Sequence, residues 1–131
     1  MAEPVVFISH FRVKEGGDQR LREGWTSIIA QLEPTRPRTL MFELYADGAH
    51  DQATIVHVFA DADAMDRHFE GADERSRAIY EYIQPTGWEI YGQASPAAVE
   101  QMQREAAESG VSLTVQAEPM GGFLRLAPST G

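Results

Sequence analysis

The middle of the chain reads Thr39-Leu-Met-Phe-Glu-Leu-Tyr-Ala46, then Asp47-Gly-Ala-His-Asp51, then Gln52-Ala-Thr-Ile-Val-His-Val-Phe-Ala60. The outer two runs are rich in β-branched and aromatic residues and predict strands; the residues between them are turn formers. So short a connection makes the pair an antiparallel hairpin. Upstream, Pro4 to Val13 predicts a strand ending at Glu15-Gly-Gly17. Asp18 to Glu33 predicts a helix with Leu21, Trp25, Ile28, Ile29 and Leu32 on one stripe, stopped by Pro34 and Pro37. Downstream, Asp61 or Asp63 can cap a helix carrying Met65, His68 and Phe69 as far as Gly71, and Asp73 can open another turn or two. Trp88-Glu-Ile-Tyr-Gly-Gln-Ala94 is the fourth strand. The order β-α-β-β-α-β is ferredoxin-like, an α+β fold with an antiparallel sheet.

Residues 1–95 make up this domain, and 96–131 form a C-terminal extension that packs on the same domain or on a partner subunit. Ser95-Pro96 caps a further helix running through Val99, Met102 and Ala106 to Gly110. Val111 to Ala117 and Phe123 to Leu126 predict short extra strands, and Pro128 to Gly131 a frayed end. Helices on one face of a four-stranded sheet leave the other bare. Val6, Ile8, Leu40, Phe42, Leu44, Val56 and Val58 alternate so as to form that bare face. An apolar patch of this size is rarely left exposed, and the simplest cover is a second copy related by a two-fold axis, giving a homodimer.

Composition narrows the function. Eleven Lys and Arg against twenty Asp and Glu give a net charge of −9, which repels phosphate backbones and makes nucleic acid an unexpected partner. Cysteine is absent, which excludes thiol nucleophiles, disulfides, iron–sulfur clusters and Cys-ligated zinc. No His-x-His, His-x3-His or His-Glu-x-x-His spacing occurs, so no metal site is expected; Gly16-Gly17 and Gly121-Gly122 do not form a nucleotide loop. No apolar run approaches the roughly 20 residues of a membrane helix, and Met1-Ala-Glu-Pro4 lacks the basic start of a signal peptide. A cytoplasmic protein without a membrane partner is expected.

The strand Val6-Phe-Ile-Ser-His-Phe-Arg-Val13, the Trp25 helix, the strand Leu40-Met-Phe-Glu-Leu44 and above all Val58-Phe-Ala-Asp-Ala-Asp-Ala-Met-Asp-Arg-His-Phe69 carry a resemblance. From Val5 to Gln93 the chain resembles the antibiotic biosynthesis monooxygenase family of dimeric α+β barrels. The resemblance implies a homodimer with a hydrophobic pocket between sheet and helices in each subunit. It also implies oxidation of an anthrone or quinol by dioxygen with no flavin, haem or metal, hence no cofactor. A non-catalytic small-ligand-binding or stress-related dimeric barrel is the rival reading, and haem binding or degradation is third. The haem-degrading branch has an Asn in the first strand and a Trp late in the third, where this chain has Ser9 and Phe59.

Strand parity, with no bulge, puts Phe7, Ser9 and Phe11, then Met41, Glu43 and Tyr45, then Ile55, His57 and Phe59 on the helix-facing side. Trp25, Ile29, Met65, His68 and Phe69 face them from the helices. The set predicts an apolar cavity with a few polar groups, suited to a small aromatic molecule and dioxygen. His68 is the first candidate for a general base and His57 the second, because an imidazole titrates near neutrality. Trp25, Phe59, Met41 and Met65 are candidates to hold a flat ring. Tyr45, Ser9 and Trp88 are candidates to hydrogen-bond an enolate or quinone oxygen. His10 falls on the opposite face, toward the partner, and His50 in a solvated turn. The charged helix around Arg104 reads as a solvated surface.

Overall fold

The computed structural model describes residues 3–127. The elements are β1 (Val5–Val13), α1 (Asp18–Leu32), β2 (Thr39–Ala46), β3 (Gln52–Phe59), α2 (Ala62–Phe69), α3 (Ala72–Ile79), β4 (Ile83–Tyr91), α4 (Pro96–Ser109) and β5 (Ser112–Gln116). The sheet order is β2-β3-β1-β4-β5, and the first four strands pair antiparallel. This is the ferredoxin-like α+β arrangement with one strand added at the β4 edge. β5 runs parallel to β4 and follows it through α4, a crossover of the kind parallel neighbours require.

Local chemistry sets the helix starts. Asp61 accepts a hydrogen bond from the Ala64 N–H at 2.9 Å and Ser95 one from the Ala98 N–H at 3.1 Å, each satisfying a donor that the first turn cannot. Ser95 also donates to Asp66 at 2.7 Å, tying the start of α4 to α2. Ahead of α1, a Cβ on Gly17 would lie 2.9 Å from the Tyr82 carbonyl oxygen, so only glycine lets the chain turn there beneath the start of β4. At the far end of α4, Gly110 takes the left-handed conformation that closes a helix.

One face of the sheet is covered by the helices. Its core falls into two clusters. Val5, Phe7, Phe59, Met65, Trp88, Ile90 and Met102 form one, and Phe11, Leu21, Trp25, Ile28, Ile55, Ile79 and Ile83 the other. Ala98, Met102 and Ala106 of α4 are buried in the first cluster, so the extension contributes to the same core as the strands.

Three expectations are corrected. In β2 the register against β3 steps from Thr39↔Phe59 to Met41↔Val58, leaving Leu40 as an extra residue. This bulge inverts the parity of the rest of the strand. Phe42 and Leu44 turn toward the helices and pack on the second cluster, while Met41, Glu43 and Tyr45 turn to the open face. The strand β4 begins at Ile83, earlier than Trp88, because pairing with β1 continues through Pro85 past an irregularity opposite His10 and Phe11. Phe123 to Leu126 forms no strand; Phe123 is 83% exposed and Leu126 68%. The end expected to fray, Pro128 to Gly131, lies outside the described residues.

The open face carries Val6, Ile8, Val56 and Val58, all half-buried, with Met41 beside Val58. Around them His10 bonds Glu89, which Tyr91 also holds. Among the described residues no helix is long and apolar enough to cross a membrane.

Candidate active site

Between the two core clusters lies a cavity of about 90 Å³. The sheet supplies Phe7, Ser9, Phe11, Phe42, Ile55, His57 and Trp88 to its wall, and the helices supply Trp25, His68, Arg75, Tyr80, Gln101 and Glu105. Alternation explains the sheet contribution. Ser9 pairs with Ile55 on one side and Trp88 on the other, and His57 with Phe7 and Phe42, so these side chains project from one face.

Two histidines meet at the centre. Their rings lie 5.3 Å apart, nearly perpendicular, in a ring of aromatics: Phe7 stands 4.8 Å from His57, and Phe42 and Phe59 each 5.1 Å from His68. Only 6% of His57 and 3% of His68 are exposed. His57 Nδ1 donates to the Phe7 carbonyl oxygen at 2.9 Å. A carbonyl only accepts, so the proton sits on Nδ1 and Nε2 keeps its lone pair. Burial pushes His57 down to about 4, partly opposed by the Phe7 carbonyl. Burial pushes His68 down to about 2, helped by the positive charge of His57, Arg75 and Arg36. Both rings are therefore neutral near pH 7. His68 Nδ1 meets the Thr39 hydroxyl at 3.0 Å. That hydroxyl both donates and accepts, so either His68 tautomer is accommodated.

The remaining polar groups frame the histidines. The Ser9 side chain is buried and lines the cavity. Arg75 donates to the carbonyl oxygens of His68 at 2.5 Å and Glu70 at 2.8 Å, and its side chain lines the cavity. Burial raises the Glu105 carboxyl above its usual range, and burial with the Glu105 charge pushes Tyr80 up to about 12. Among the described residues no group of three His, Asp or Glu side chains could hold a metal ion.

Of the residues singled out from sequence, Ser9, Trp25, His57, His68 and Trp88 come together in the cavity wall. Phe59 and Met65 are fully buried behind it, Phe59 directly against His68. Met41 and Tyr45 do not join them. Met41 lines a separate groove of about 380 Å³ between α1 and β2, and Tyr45 is 52% exposed. The bulge at Leu40 is the cause, and it delivers Phe42 in their place, stacked on Trp25 with ring centres 4.4 Å apart. Thr39, Arg75, Tyr80, Gln101 and Glu105 were not anticipated. The helical spacing of Arg75, Ile79 and Tyr80, and of Gln101, Met102 and Glu105, mixes polar with apolar residues on one inward face. A stripe of that kind is the signal that could have found them.

No family model and no curated protein matches the sequence. Solved structures do match. MupZ from Pseudomonas fluorescens superposes with a TM-score of 0.70 at 11% identity, over 97% of this chain and 99% of that one. A protein of Caulobacter crescentus assigned as an antibiotic biosynthesis monooxygenase gives 0.60 at 13% identity, over 68% and 88%. SnoaB from Streptomyces nogalater, a cofactor-independent oxygenase, gives 0.58 at 16% identity, over 72% and 96%. The chain has the fold of the antibiotic biosynthesis monooxygenases. The likeness to MupZ runs over nearly the whole chain, so α4 and β5 belong to a fold that the two proteins share.

Proposed function

We propose that the chain is a cofactor-independent monooxygenase that oxidises an anthrone or quinol with dioxygen. The observation that carries this reading is the buried neutral His57. Its Nδ1–H is held by the Phe7 carbonyl, and its Nε2 lone pair is left for a substrate proton. A low-dielectric cavity strengthens the attraction between an imidazolium and an anion formed beside it, so proton transfer becomes favourable as charge develops on the substrate. For an anthrone, His57 removes a ring C–H proton. The Ser9 hydroxyl, His68 and Arg75 stabilise the enolate oxygen. The electron-rich carbon reduces dioxygen and forms a C–O bond, giving a hydroperoxide once protonated. Loss of water from it leaves a carbonyl at that carbon, so one oxygen atom enters the product and the other leaves as water.

An aromatic substrate needs the cavity to widen. About 90 Å³ is less than the roughly 150 Å³ of an engineered cavity that takes one benzene, and far less than a haem needs. Phe42 and His68 line both the cavity and the 380 Å³ groove. Rotation of Phe42 away from Trp25 joins the two spaces and makes room for a polycyclic ring system. We further propose that Val6, Ile8, Val56 and Val58 pair with the same face of a second copy, which covers them and leaves the two cavities on the outside. Oxygen uptake on adding an anthrone or hydroquinone to the purified protein, with product carrying one labelled oxygen atom from dioxygen, tests the reading. Saturable binding with no uptake for any such compound would favour a ligand-binding protein instead.

A further inference from the structure

Two arginines converge beside His68 without a counter-charge. Arg75 Nη1 donates to the Glu70 carbonyl oxygen at 2.8 Å, and Arg36 Nη2 reaches the same oxygen at 3.2 Å. Arg75 forms part of the inner cavity wall and Arg36 part of the outer groove, and His68 lines both. Among the described residues neither guanidinium has a carboxylate within ion-pair distance, while Arg22, Arg38 and Arg67 each do. Glu33 and Glu43 line the groove with Arg36 but are exposed and do not pair with it. Two adjacent cations that cannot lose their protons repel each other.

Capping the last carbonyls of α2 explains part of this arrangement, since arginine commonly satisfies such oxygens. It does not explain Arg36 Nε. That donor is buried and has no hydrogen-bond partner among the described residues, an arrangement that costs free energy unless something accepts from it. A guanidinium presents its Nε and Nη donors as a planar fork matched to a carboxylate.

We propose that the aromatic ligand of the cavity carries a carboxylate, and that this group docks between Arg36 and Arg75 beside His68, accepting from Arg36 Nε. The proposal rests on the reading of the cavity as an aromatic site and adds the charge of its ligand. The carboxylate enters from the groove, replaces the missing counter-charge, and fixes the ring so that its reacting carbon faces His57.

Hydroquinone and gentisate, which is hydroquinone with one carboxylate, separate the two ideas. Quenching of Trp25 and Trp88 fluorescence at pH 7 reports binding of each. Gentisate should bind at least about tenfold tighter, as expected for a charge-assisted hydrogen-bonded pair. Arg36→Gln should reduce that preference to within about threefold and leave hydroquinone affinity unchanged, and Arg36→Lys should restore only part of it. Arg36 is the position to vary because Arg75 also holds the His68 carbonyl and lines the inner cavity, and an unaltered melting temperature of Arg36→Gln confirms that the fold is intact. Equal affinity for the two compounds, or a preference that survives Arg36→Gln, overturns the carboxylate site alone. Failure of both compounds to bind overturns it together with the aromatic-site reading.

Discussion

On the helix-covered face of the sheet, His57 and His68 are enclosed by aromatic rings and held neutral; on the open face, His10 bonds Glu89 at a position open to solvent. Both faces belong to the same strands, and the residue type is the same. What differs is the company each imidazole keeps. Enclosure without a carboxylate removes the proton from the ring and leaves a lone pair for chemistry. At the surface the ring bonds a carboxylate instead, and here Tyr91 and His10 keep Glu89 below the usual carboxylate range. We propose the inner face for a reaction and the outer for association.

The largest expected effect sets the inner histidines against the outer one. His57→Ala should lower turnover of an anthrone or quinol by roughly 10²–10⁴-fold, the range for loss of a general base. His68→Ala should lower it by a similar or smaller factor, and His10→Ala should leave it within about twofold. Oxygen-electrode rates decide this, and a His10→Ala enzyme as impaired as His57→Ala would erase the distinction between the faces.

The next effect is on stability against pH. His57 titrates at about 4 in the folded chain against 6.5 when unperturbed. The unfolded chain therefore takes up this proton first as pH falls. The folded state loses stability between pH 6.5 and about 4, by about 3 kcal/mol from this residue, and no further below. His57→Gln should flatten that part of the urea-denaturation profile. Equal slopes for wild type and His57→Gln would mean that the ring is not buried neutral.

The open face gives the third. Ile8→Asp places a charge in the centre of the apolar patch and should weaken a dimer by about 2 kcal/mol or more, about 30-fold in Kd. Light scattering should show monomers at micromolar concentration, with ligand quenching of Trp25 unchanged. A wild-type protein that is already monomeric would remove the proposed role of this face.

The smallest effect concerns residues 117–127. Met120, Phe123 and Leu126 are exposed apolar side chains beyond the last strand. Truncation after Gln116 should change the unfolding free energy of a subunit by no more than about 0.5 kcal/mol, because these side chains bury nothing in their own domain. A lower dimer affinity in the same truncation would show that they cross to the partner.

Much of this was legible from residue order. The hairpin, the Trp25 helix and the strand-to-helix passage ending at Phe69 follow from turn formers, apolar stripes and a capping aspartate, all of them local. His57 and His68 were legible as inward groups because each lies on an apolar stripe of its own element. Arg36 and Arg75 were not, since two charged residues far apart in sequence read as surface until folding brings both to the Glu70 carbonyl.

The sequence alone therefore determined the element order, the covered and uncovered faces of β1 and β3, and the absence of thiol chemistry. Only the tertiary structure decided which face β2 turns inward. Alternation with a period of two is an exact rule until one residue is inserted, and nothing local marks Leu40 as that residue. The bulge appears only in the pairing of β2 with β3, and it exchanges Met41 and Tyr45 for Phe42 in the setting of the histidines.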